Sequence, residues 1–135
     1  GLTVRTATIS TVNDIQQAAQ SMIDDVDVFY EPTDNVIASA MPTLTSVTDP
    51  AGKGVICGYI GGVTAGALAP KGIDYYKLGV QTGDMAADIL EGKTKPADMM
   101  IETARDLTVV INKKNADKIG LTIPADVLNG ATIVP

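Results

Sequence analysis

The chain has 135 residues, 45% of them hydrophobic, with 10 Lys and Arg against 16 Asp and Glu for a net charge of −6. That length suits one domain or one lobe of a larger protein, and the apolar content supports a packed core, which argues against disorder. The acidic balance argues against nucleic-acid binding, and with no histidine and one cysteine the chain excludes histidine-based zinc sites, Ser-His-Asp or Cys-His catalysis and an internal disulfide.

Catalysis would have to rest on Asp, Glu, Lys, Tyr, Ser or Thr, and no cluster of these stands out. No run of about 18 apolar residues is present to span a bilayer. Gly1–Thr6 shows no charged leader followed by an apolar segment, so the leader of any exported full-length form is expected to lie outside this sequence.

In chain order, the threonine-rich stretch from Leu2 to Ile9 alternates in part and predicts a strand. Thr11 and Asp14 are spaced as a capping box, and Ile15, Ala18, Ala19, Met22 and Ile23 follow with the periodicity of a helix burying one face. Val26–Tyr30 predicts a strand, and a helix is expected from about Asn35 to Val47. Pro42 falls inside that helix, where a proline costs about 3 kcal/mol or more, so the helix must kink or be short. Val55–Cys57 predicts a buried strand, in which Cys57 reads as a small buried hydrophobe.

Gly58–Gly66 is glycine-rich but matches neither the Walker pattern nor Gly-x-Gly-x-x-Gly, so a mobile or crossover loop is expected rather than a nucleotide cradle. A short strand within Ala67–Asp74 leads to the strongest helix, Tyr75–Leu90, closed by Gly92. Gly79, Gly83 and Ala87 recur on it every four residues, which predicts close packing against a neighbouring element. Leu107–Ile111 predicts a strand, Lys113–Ile119 a short helix stopped by Gly120, and Ala131–Val134 a terminal strand. Strands alternating with helices through short connections predict an α/β fold with a mainly parallel sheet.

The segment Glu31-Pro32-Thr33-Asp34-Asn35 is the candidate site. It follows a strand and opens a helix, which places it at the carboxyl edge where open α/β sheets hold small ligands. Asp34 or Asn35 could instead simply cap the helix, and the two roles can be divided between neighbours. Asn13 and Asp14 occupy another such corner and read first as caps. Tyr30 or Tyr59 could flank an aromatic ligand or serve as core or rim residues.

Five segments read in register carry a family resemblance: Asn13–Ser21, Tyr30–Asn35, Gly72–Gly79, Thr82–Ala87, and Val110–Lys114 followed by Gly120–Pro124. Together they resemble the substrate-binding proteins of ABC importers, in the branch that includes tryptophan- and other aromatic-amino-acid-binding lipoproteins. The resemblance implies a type I periplasmic-binding fold, with two Rossmann-like three-layer lobes closing on a small ligand at a hinge. This chain then corresponds to the C-terminal half. Residues at about 1–66 and 99–135 would form the second lobe, and about 67–98 would cross back to the first.

The resemblance further implies a non-catalytic solute-binding role in an extracytoplasmic protein, with a membrane permease as partner and no cofactor or metal. Thr33, Asp34, Asn35 and Asp74 are its candidate ligand-binding residues. Asp34 suits a ligand ammonium and Asn35 or Thr33 a carboxylate, while Asp74 could serve the ligand or, instead, the hinge. Surface cut from the missing lobe would favour homodimers of the fragment. Two features depart from the family: Pro42 after the binding corner, and the apolar Gly58–Gly66 loop. Three other readings stand beside this one. They are an effector-sensing domain of a lac-repressor-like transcription regulator, a small α/β enzyme, and a structural domain without a site.

Overall fold

Alternation along the first strand, β1 (Val28–Glu31), organises the body: Phe29 and Glu31 turn inward, while Val28 and Tyr30 face solvent. The structure, a computed structural model describing residues 1–134, adds β2 (Gly54–Tyr59), β3 (Ala69–Ile73), β4 (Leu107–Asn112) and β5 (Thr132–Val134). The strands lie side by side in chain order. β1–β2, β2–β3 and β4–β5 are parallel pairs and β3–β4 is antiparallel, so the sheet is mainly parallel as expected.

Helices α1 (Asp14–Met22), α2 (Asn35–Ser39) and α3 (Met41–Thr48) form the layer over the inward side of β1 and β2. Ile15 and Ala19 of α1, Met41 and Leu44 of α3, and Val55 and Cys57 of β2 build the core there. Asp14 supplies the return half of the expected capping box, accepting from the backbone N–H of Ser10 at 3.0 Å and Thr11 at 2.8 Å. Those bonds hold its carboxyl below the usual range.

Pro42 divides the expected Asn35–Val47 helix in two. The break falls at Ala40, and the proline sits in the first turn of α3, where its missing N–H leaves no bond unmade. The longest helix, α5 (Tyr75–Leu90), forms as read from the sequence, and α6 (Lys113–Lys118) and α7 (Ala125–Leu128) follow β4. Gly92 and Gly120 stop α5 and α6 at φ of 74° and 71°, a conformation that side chains disfavour.

Three expectations are corrected. Residues 1–9 carry no secondary structure, and Leu2 and Val4 are exposed. Threonine-rich alternation supplies strand propensity but no partner, and among the described residues no strand pairs with the free edge of β1. Of the mobile or crossover loop expected at Gly58–Gly66, the crossover forms, packed: β2 runs to Tyr59, and α4 (Gly61–Thr64) follows with Gly62 and Val63 buried. The Gly79–Gly83 stripe faces open space, since a Cβ on either glycine would meet nothing within 4 Å. Finally, β3 is hydrogen-bonded between β2 and β4, and Ala67 and Leu68 are buried, so residues 67–73 stay with the body. The segment that leaves it begins at Asp74.

Residues 74–106 form an arm. α5 buries only Gln81, which donates to Glu102 Oε2 at 2.9 Å and to the Thr103 carbonyl at 3.0 Å, and accepts from the Arg105 N–H at 3.2 Å. Glu102 is ion-paired with Arg105 at 2.7 Å. One side chain thus ties the outgoing helix to the segment that returns to β4. The two crossings are adjacent, because Ile73 pairs with Leu107 across the antiparallel ladder.

Candidate functional site

Because β1, β2 and β3 run parallel in that order, their carboxyl ends share one edge of the sheet. Thr33–Asn35 follows β1, Ile60–Gly62 follows β2, which ends at Tyr59, and Asp74–Tyr75 follows β3. The sequence-predicted residues therefore meet on a single edge. The β1 and β3 ends are separated by the width of β2, roughly 10 Å at the usual ladder spacing. The Ile60 N–H donates to the Ile73 carbonyl at 3.2 Å, which binds the second and third corners together.

Asp34 and Asp74 play the same local part. Oδ1 of Asp34 accepts from Val36 N–H at 2.8 Å and Ile37 N–H at 3.1 Å, capping α2. Oδ1 of Asp74 accepts from Tyr76 N–H at 3.0 Å and Lys77 N–H at 3.3 Å, capping α5. Both readings of these residues are compatible, since capping engages one carboxylate oxygen of each. Asn35 and Thr33 are exposed beside them. Thr33 is held close from behind: a Cβ on Gly58 would lie 2.6 Å from its Oγ1, so the β1 corner requires glycine in β2. Asn13 makes no capping bond at its own corner, where Asp14 does that work.

Sequence reasoning placed Glu31 in the candidate segment but gave it no role. It is 1% exposed, and neither carboxylate oxygen has a hydrogen-bond partner among the described residues. Burial pushes its carboxyl up to about 7, the nearby Asp34 N–H opposes that shift, and the Asp34 charge adds to it. Period-two alternation from Phe29 was the signal available, because it puts Glu31 on the core face.

Opposite Glu31 in the parallel register stands Cys57, buried and free as expected, with Sγ donating to the Tyr59 carbonyl at 3.3 Å. Burial raises the thiol, and Glu31 adds to the rise. The Tyr59 hydroxyl is also buried without a partner. Burial pushes it up to about 12, with smaller contributions from Glu31, Cys57 and Tyr75. Gly62 lies against Cys57 and the Tyr59 ring, with no room for a side chain.

The edge is open rather than enclosed. Two hollows lie elsewhere: about 490 Å³ lined by residues such as Asn13, Gln16, Ser39 and Thr43, and about 390 Å³ between α5 and residues 104–106. Among the described residues no group of three or more Cys, Asp or Glu is arranged to hold a metal ion. What the edge offers is hydrogen bonding: two carboxylates with a free oxygen each, an amide and a hydroxyl, beside tyrosine rings.

A family model described as "ABC transporter substrate binding protein" matches residues 1–134. The chain belongs to that family. A curated relative, a tyrosine-binding protein of Clostridioides difficile, is 40% identical over 105 residues, covering 78% of this chain and 30% of the relative. The structure of an ABC domain in complex with L-Trp from Streptococcus pneumonia superposes with a TM-score of 0.88 at 38% identity, covering 99% of this chain and 45% of that one. A conserved domain protein of Vibrio cholerae gives 0.85 at 38% identity, covering 96% and 43%. The ligand-free, open structure of a substrate-binding protein with adhesive properties from Clostridium difficile gives 0.71 at 36% identity, covering 93% and 42%. The chain thus spans less than half the length of these relatives. The family is one of substrate-binding proteins, not of enzymes.

Proposed function

We propose that this chain is the C-terminal part of an extracytoplasmic solute-binding protein that captures an amino acid, aromatic ones first, and presents it to an ABC permease. The observation that carries the reading is the near-complete superposition on a relative bound to L-Trp, together with a polar corner at the sheet edge where such folds hold ligands. A tyrosine-binding relative points to the same ligand class. The protein does no chemistry on the ligand.

In this reading residues 74–106 belong with the first lobe, and the paired crossings at Ile73–Asp74 and Asp106–Leu107 are the hinge. The ligand stabilises a closed form because only that form offers contacts from both lobes. Asp34 takes the ligand ammonium on its uncapped oxygen, Thr33 and Asn35 take the carboxylate, and Asp74 shares its role between ligand and hinge. No observation favours the transcription-regulator reading. Self-association of the fragment would run through the apolar surface of the arm, where Tyr76, Leu90, Met100 and Ile101 are exposed.

The test is calorimetric titration of the full-length protein with an amino-acid panel. Micromolar or tighter binding of an aromatic amino acid is expected. Silence across the panel removes amino acids as the ligand class.

A further inference from the structure

We propose that Glu31 is a positioning residue for the 33–35 corner, supporting it as an uncharged acid and releasing it on ionisation. The inference rests on the binding role proposed above, because the corner it supports is the one assigned to the ligand.

The geometry is specific. Glu31 is the last residue of β1, three before Asp34, and its side chain is enclosed between the sheet and the start of α2. The titratable groups that face it are Asp34 from the α2 cap and Cys57 and Tyr59 from β2, with Tyr75 beyond Tyr59 at the start of α5. All of them are acids. No lysine or arginine among the described residues bonds to Glu31. An uncharged carboxyl is housed in such a place at lower cost than a carboxylate, which needs a cationic partner that is not there.

Ionisation therefore drives the side chain toward water, and the Asp34 N–H and carboxylate at the corner are the groups beside it that must respond. Asp34 is tied to Val36 and Ile37 by its cap, so movement at residue 31 is passed to the opening turn of α2. On the other side Gly58 already abuts Thr33, which leaves the corner little freedom to adjust without losing its shape. The chain has no histidine, so no other side chain here ordinarily titrates near neutral pH.

The experiment uses the full-length protein and L-tryptophan as the probe. Affinity measured by calorimetry should fall about tenfold from pH 6 to pH 8, following the fraction of protein with Glu31 uncharged. Glu31→Gln should keep the pH 6 affinity and flatten the profile. In ligand-free protein, the ¹³C shift of the Glu31 carboxyl should titrate near neutrality, and the Asp34 and Asn35 amide shifts should follow it. An unchanged pH profile in Glu31→Gln overturns the proposal, as does a carboxyl that titrates in the ordinary range or one whose titration leaves those amides still. Should the variant fail to fold, the wild-type carboxyl and amide titrations decide. Absence of L-tryptophan binding at either pH counts against the ligand class proposed above, and the ligand-free titration then decides for Glu31 alone.

Discussion

The body and the arm obey the same sequence rules but reach opposite degrees of burial. In the body, the periodic apolar positions of α1 and α3 find the inward face of β1 and β2, and Met41, Val55 and Cys57 are almost wholly enclosed. The arm carries the longest and most regular helix of the chain, yet α5 buries a single residue and leaves Tyr76, Val80 and Leu90 exposed. Periodicity shows that a helix has a face to bury. It does not say where the other side of that interface resides. A helix this apolar on an open surface marks a face suited to a partner.

The sharpest way to break the comparison is to remove matched amounts of side chain from each region. Met41→Ala takes a fully enclosed side chain from the centre of the body and should lower stability by about 3 kcal/mol, within the usual range for such truncations. Urea unfolding of the chain measures it. A loss below about 1 kcal/mol would mean that the core around α3 collapses onto the gap and that the body is less tightly built than its burial indicates.

Glu31 gives the next effect, through pH. Its carboxyl is raised from 4.5 to about 7 in the folded chain, so the folded state holds the proton more tightly than the unfolded state does. Stability is therefore fully present below about pH 4.5 and is lost as pH rises through 7. The full shift corresponds to roughly 3 kcal/mol, and relaxation around the charged form will make the loss smaller. Unfolding measured at pH 5 and pH 8 for the wild type and Glu31→Gln checks the sign. A wild type more stable at pH 8, with the variant unchanged, would contradict it.

The caps come third. Asp34→Ala and Asp74→Ala each remove a carboxylate that accepts two backbone N–H bonds, a change worth about 1 kcal/mol at a helix start. If capping were all that Asp34 does, the two variants would match in stability and neither would alter ligand affinity beyond it. A ligand role predicts that Asp34→Ala in the full-length protein also weakens amino-acid binding by tenfold or more, a difference that calorimetry resolves.

Much of this was legible in the residues. The β1 and β2 strands, the span of α5 and the glycine stops at Gly92 and Gly120 followed from local chemistry, which acts over a few residues and needs no partner. Pro42 announced a break, though not that the chain would use it as the first turn of a new helix. What could not be read depends on distant pairing. Leu2–Ile9 has strand composition without an edge to join, and the glycine stripe of α5 invites a neighbour that this chain does not contain. For the site, the turn residues Thr33–Asn35 marked the corner because polar side chains at a strand end are conspicuous. Glu31 was given no role because the strand was read as ending at Tyr30, which left Glu31 at the start of the turn. Only the alternation with Phe29, and then the burial itself, places it inside.

The smallest expected effect is the one that best sharpens the contrast between arm and body. Leu90 is 87% exposed, and its truncation to alanine should change the stability of this chain by no more than about 0.5 kcal/mol. In the full-length protein the outcome should differ. If the arm packs into the first lobe, Leu90→Ala there removes a buried side chain and should cost about 2 kcal/mol or more. Unfolding of both lengths, with and without the substitution, isolates the contribution of the missing lobe to this one position. A null effect in both would leave Leu90 on the outer surface of the assembled protein. The exposed face of α5 would then need a partner other than the first lobe, and a second copy of the chain is the occupant to examine by sedimentation.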